Sequence, residues 1–201
     1  MATASIIRPI TRLNPGYVSG RFYSFLNGST FGTNAVGTFG TLIYLVPVSP
    51  IDGPFTVSSL NILCITGAAS SVVKMALWAN DPTTGRPTGT PLVGSNTGQS
   101  CAVNATVPTI AVSYKMQQGL VYWVGTAFGT ASPTCQSYSN ANMVGNTVLG
   151  RASLTGANNN IQAVTAPFTY ANDITALDLT GATLSDAIGG VGVPVVWFGA
   201  A

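Results

Sequence analysis

Apolar and polar positions along this chain alternate with a period of two in short runs. Gly, Pro, Ser, Thr and Asn interrupt those runs every few residues. A strand places successive side chains on opposite faces, so the pattern predicts many short strands and an all-β fold. Val73, Met75 and Leu77 form one such row with Lys74 and Ala76 on the other side, which predicts one buried and one wetter face. Leu60, Ile62 and Cys64 alternate with Asn61 and Leu63, while Phe55 and Val57 fall on the opposite parity. A bulge near Ser58-Ser59 would reconcile the two rows. Ile110, Val112 and Tyr114 make a further alternating row. Residues 121–124 are continuously apolar, which predicts burial on both faces or at an interface. Residues 193–198 read as a last strand, where Pro194 suits an edge or a strand start.

The segments between these rows read as loops. Residues 80–91 are dense in Pro and Gly, and residues 27–40 and 140–160 are rich in Gly, Asn and Thr and read as long loops or poorly formed strands. The glycine-rich stretches 37–40 and 94–98 are followed by neither a Lys nor a helical pattern, so they predict loops rather than phosphate cradles. The best helical candidate is 170–188, with Asn172 and Asp173 as caps and Leu177, Leu184 and Ile188 as apolar marks. Gly181 and several threonines weaken it. Residues 1–20, with Arg8-Pro9 and Asn14-Pro15-Gly16, predict an extended N-terminal arm ahead of a single domain over 21–201.

Charge changes the picture most. Only 6% of the 201 residues are charged, with seven Lys and Arg, five acidic residues that are all Asp, and no His. An ordinary soluble domain is about a quarter charged. General acid–base catalysis draws on His or on two carboxylates with separated pKa values. Asp52 and Asp81 stand in turn sequences, and Asp173, Asp178 and Asp186 match no metal or glycosidase spacing. No Gly-x-Ser-x-Gly occurs, and no imidazole exists to activate a Ser or Cys. The expectation is a non-enzyme without catalytic residues or cofactor. An Asp pair assembled only by folding is the enzymatic alternative left open.

The same scarcity narrows the partners. Basic residues are scattered, only Arg8, Arg12 and Arg21 being close in sequence, so nucleic-acid binding is not expected. Apolar residues reach 46%, yet no run approaches the ~20 residues of a spanning helix, so membrane insertion is not expected either. The first residues lack a basic region followed by a long apolar one, so no secretory signal is read and synthesis in the cytosol of the producing cell is expected. Cys64, Cys101 and Cys135 include no Cys-x-x-Cys, and with His and Glu absent no metal site is expected. Cys64 reads as a core strand residue and the other two as loop residues. Whether Cys101 and Cys135 are bridged stays open. Tyr17, Phe22, Tyr23, Phe25, Trp78, Tyr122, Trp123, Tyr138 and Trp197 read as core or interface aromatics, or as sugar-stacking surfaces if exposed.

Several segments taken together resemble a β-sandwich module of bacteriophage virion proteins, found in head and tail fibres and capsid decoration proteins. They are Pro15-Gly16-Tyr17-Val18-Ser19-Gly20-Arg21-Phe22-Tyr23, the run from Leu42 to Val48, the run from Phe55 to Ala69, Val73-Lys74-Met75-Ala76-Leu77-Trp78, and Gln118-Gly119-Leu120-Val121-Tyr122-Trp123-Val124-Gly125. The resemblance covers about residues 15–128 and leaves the rest unmatched. It implies an antiparallel β-sandwich of jelly-roll type, commonly trimeric, and brings no catalytic or cofactor residues. A small sandwich with apolar surface and few charges would aggregate as a free monomer. The expectation is therefore a homotrimeric capsid decoration protein, located on the virion and contacting the major capsid protein or other virion proteins. Arg8, Pro9 and Arg12 of the arm, with Tyr17, Tyr122, Trp123 and Trp197, are the candidate assembly residues. The alternatives are a fibre protein reading host-surface glycan through exposed aromatics, Tyr138 and the 140–160 loop, or a free carbohydrate-binding module.

Overall fold

The computed structural model describes residues 17–25, 31–35, 40–138, 161–188 and 192–201. Their backbone forms antiparallel strands in three sheets, and the fold is all-β. The largest sheet runs in the order β12 (Ser185–Ile188), β11 (Ile161–Pro167), β3 (Leu42–Val48), β9 (Tyr122–Gly129), β6 (Val72–Asn80) and β7 (Pro87–Ser100). A second sheet orders β1 (Phe22–Tyr23), β13 (Trp197–Ala200), β4 (Phe55–Asn61) and β8 (Thr109–Met116). The smallest joins β2 (Phe31–Ala35), β10 (Thr134–Tyr138) and β5 (Cys64–Thr66).

The two larger sheets face each other across the main core, in a sandwich-like arrangement. Tyr44, Val46, Val73, Met75, Leu77, Val124 and Phe128 come from one, and Phe55, Val57, Leu60, Ile110 and Phe198 from the other. The parity change in β4 is resolved as its sequence predicts. Pairing slips at Ser58 on both sides, where Ser58 is the extra residue against β13 and stands opposite two residues of β8, so both apolar rows of β4 point inward. Every residue of β9 is buried, which accounts for its unbroken apolar run.

Several expectations change. The wetter face of β6 does not exist, because Lys74 is only 5% exposed and Ala76 and Trp78 are fully buried. Residues 168–184 lie across the outer face of the large sheet and enclose a second cluster, in which Phe168, Ile174 and Leu179 cover Ile43, Leu45, Trp78 and Trp123. That strap occupies most of the proposed helix. Its one helical element is a single 3-10 turn, Ile174–Ala176, and the segment ends in β12. The Asp173 carboxylate accepts from the Thr175 amide at 2.8 Å, and the Asp178 carboxylate accepts from the Thr180 amide at 2.8 Å. Such Asx turns compete with helical hydrogen bonding. The 80–91 loop is shorter than expected, since the chain is back in a strand at Pro87, and the glycine-rich 94–98 is also strand. A bridge joins Pro194 to Ser137, and the last strand runs from Trp197 to Ala200.

Two fixed groups hold the strap down. The Lys74 ammonium donates to the Tyr170 carbonyl at 2.8 Å and the Asn172 carbonyl at 2.9 Å, and stands 4.6 Å from the Tyr170 ring centre. Burial pushes its pKa down, and Asp173 partly opposes that shift. The Trp78 indole N–H donates to the Leu177 carbonyl at 3.2 Å. Of the expected arm, residues 1–16 lie outside the described residues. Tyr17 is anchored on the sandwich, with its ring 4.7 Å from that of Phe55.

Candidate functional site

The outer face of the four-stranded sheet carries a groove of about 330 Å³, lined by Phe22, Asn61, Ile62, Leu63, Val107, Gln136 and Trp197. Strand register assembles it. Phe22 is the partner of Gly199 on β13, and Trp197 of the same strand is the partner of Asn61 on β4. Side chains two apart on a strand share a face, so Trp197 and Gly199 both lie on the outer side. Gly199 leaves room there, because a Cβ at that position would come 2.3 Å from the Ser59 hydroxyl.

The polar groups in the groove are held in place. Asn61 donates to the Ser59 hydroxyl at 2.9 Å and to the Trp197 carbonyl at 3.1 Å, and accepts from the Thr109 hydroxyl at 2.8 Å. The Trp197 indole N–H donates to the Gln136 side-chain oxygen at 2.9 Å, which fixes the indole plane. Against this frame stand two large apolar side chains open to solvent, Phe22 at 57% and Val107 at 50% exposure. No lining residue is charged. An apolar recess with immobilised amides at its edge suits contact with an apolar protein surface, or stacking of a sugar ring.

The other candidate assembly residues divide. Arg8, Pro9 and Arg12 lie outside the described residues, as do residues 140–160 and the side chain of Tyr138. Tyr17 is half-buried, and its hydroxyl accepts from the Asp52 amide at 3.3 Å. Tyr122 is buried and its hydroxyl accepts from the Gln117 amide at 2.8 Å. Trp123 is enclosed within the strap-side cluster and donates to the Asn80 side-chain oxygen at 2.8 Å. Its surface is therefore taken up by the chain's own core. Of the four that are described, Trp197 alone lines the groove. Sequence reading missed Gln136 and Val107 as groove residues, and Phe22 stood out only as one aromatic among many.

Three of the five aspartates are engaged in turns. Hydrogen bonds from Thr83 and Thr84 hold Asp81 below the usual carboxylate range, and hydrogen bonds from Thr175 and Thr180 do the same for Asp173 and Asp178. Asp173 and Asp178 border an open hollow of about 730 Å³ beside the strap, together with Thr41 and Asn172. A general acid needs a raised pKa, the opposite of these shifts. Asp186 pairs with Arg86 at 3.1 Å on the surface. Among the described residues no group of three His, Cys, Asp or Glu side chains could hold a metal ion. Cys64, Cys101 and Cys135 are all free and buried, and Cys135 stands on a strand rather than in the expected loop. No protein-family model, curated protein or solved structure matches this chain.

Proposed function

We propose that this chain is a non-enzymatic structural protein of a bacteriophage virion. It decorates the capsid as a homotrimer of jelly-roll sandwiches and stabilises the shell through contact with the major capsid protein. The supporting observation is the uncharged groove on the four-stranded sheet, where Phe22 and Val107 stand open to water. Covering apolar surface contributes about 25 cal/mol per Å². Few charges must be desolvated when such a face is covered in this chain. The turn-bound aspartates give no support to an enzyme.

Light scattering on the purified chain is expected to give a trimer mass at micromolar concentration, and a stable monomer would refute the assembly reading. Copy number separates positions on the virion. Several hundred copies per particle are expected for decoration, and particles lacking the protein should lose their genome at lower temperature.

A second reading is favoured by one feature, the indole of Trp197 fixed beside the Gln136 and Asn61 amides. That pairing suits a fibre protein that stacks a host-surface sugar ring on Trp197. A glycan array with no bound sugar would remove this reading and leave the first intact.

A further inference from the structure

Three thiols in a chain with no His and few charges converge behind the groove. Cys64 on β5 is the cross-strand partner of Cys135 on β10. The Gln136 amide, one residue beyond Cys135, donates to the Leu63 carbonyl, one residue before Cys64, at 2.8 Å. The Cys64 amide is turned to the other side, where it donates to the Thr106 carbonyl at 2.9 Å. The Gln136–Leu63 bond flanks the pair on one side as in a non-hydrogen-bonded antiparallel pair, the type whose Cα atoms approach to ~4.5 Å. On the other side the register shifts, between Thr134 and Cys135. A disulfide requires Cα atoms ~4.4–6.8 Å apart. The two thiols stand close enough for Cys64 to help push the Cys135 thiol up.

Cys101 is placed differently. The contact between it and Cys64 runs to its backbone, where the Cys64 thiol donates to the Cys101 carbonyl at 3.6 Å. Its own thiol is directed to the Gln99 carbonyl at 3.9 Å.

We propose that Cys64 and Cys135 are a covalent modification site, a cross-strand pair that a small-molecule disulfide such as oxidised glutathione closes into a bond. One Cys64 thiolate attacks a sulfur of the small disulfide and releases one small thiolate. Cys135 then loses its proton and attacks the Cys64 sulfur of the mixed disulfide, releasing the second small thiolate. The two protein thiols are oxidised, the small disulfide is reduced to two thiols, and both protons end on them. Burial pushes all three thiols up, Cys101 to about 12, so the pair stays reduced until β5 opens. β5 is three residues long, and that makes it an element suited to local opening. Leu63, beside Cys64, and Gln136, beside Cys135, both line the groove, so the bond would tie together two segments of its lining.

The full-length chain is incubated with oxidised glutathione under native conditions, and mapped by peptide mass spectrometry with free thiols alkylated. The expected product is an intramolecular Cys64–Cys135 link with a mass loss of two hydrogens, Cys101 remaining alkylatable. The thermal midpoint should rise by about 5–10 °C. Cys101→Ser should still form the link, and Cys135→Ser should form none. A link through Cys101, a link only between molecules, or no link before unfolding would overturn the proposal. The mapping is done on the unaltered chain, so a variant that fails to fold leaves it decisive. The outcome does not depend on whether the chain is trimeric or bound to a virion.

Discussion

Gly125 lies in the middle of β9 beneath the Trp78 ring. A Cβ there would come 2.5 Å from Trp78 Cζ3 and 2.8 Å from Ile43 Cδ1. Trp78 is fully buried and tied to Leu177, so the ring has little room to retreat. Gly125→Ala should destabilise the chain by about 1–3 kcal/mol, read from urea unfolding, because overpacking forces neighbouring side chains off their rotamers. The titratable side chains make a second prediction. Asp81, Asp173 and Asp178 have folded pKa values below the ordinary 3.8. Their contribution to stability is complete above that value and lost as pH falls through the lower, folded values. The chain has no His, and its buried thiols titrate above their ordinary range. The unfolding free energy should therefore be nearly flat from about pH 5 to pH 8 and decline only in stronger acid. A step near pH 6.5 in a pH series of thermal melts would contradict this.

At the scale of elements, the strap over 168–184 shows how one cation can hold an irregular segment. Lys74 satisfies the Tyr170 and Asn172 carbonyls and borders the Tyr170 ring. Lys74→Met keeps most of the volume but leaves both carbonyls without that donor. The expected cost is about 2–4 kcal/mol. Hydrogen exchange should accelerate first at the Phe168 and Tyr170 amides, which donate to the Thr41 and Gly40 carbonyls, while β9 stays protected. Equal acceleration in both places would mean that the strap is not a separable unit. The strand rows of β4, β6 and β8 were legible because two-residue alternation survives any rearrangement of the strands around them. The strap was not, because its contacts are made by carbonyls and by apolar side chains without a period. Asp173 and Asp178 resemble helix caps in sequence, yet each closes a local turn with a Thr two residues on.

For the whole molecule, scarce charge and the Phe22–Val107–Trp197 groove make a specific prediction of the proposed trimer, that its association responds to apolar contact rather than to salt. The expected oligomer should persist between low and high ionic strength, because no lining residue of the groove is charged. Val107→Asp or Phe22→Ser should dissociate it and leave the far-ultraviolet spectrum unchanged. Analytical ultracentrifugation of both variants checks this, and an unchanged oligomer would place the interface elsewhere. Of the groove lining, Trp197 was named from sequence as an assembly residue and Phe22 as one aromatic among nine. Trp123 and Tyr122 carry the same chemical signal but spend it inside the chain.

The sequence by itself determined the all-β class, the bulge in β4, the apolar run that opens β9 and the poverty of acid–base groups. Each depends on local spacing or on composition, which folding cannot alter. The tertiary structure alone decided which face of β6 is covered, which cysteines are neighbours and which aromatic remains at the surface. Those facts depend on strands far apart in the chain meeting in register, as Cys64 meets Cys135 and Trp197 meets Asn61. A period of two says that a residue faces one side or the other. It carries no information about what lies there.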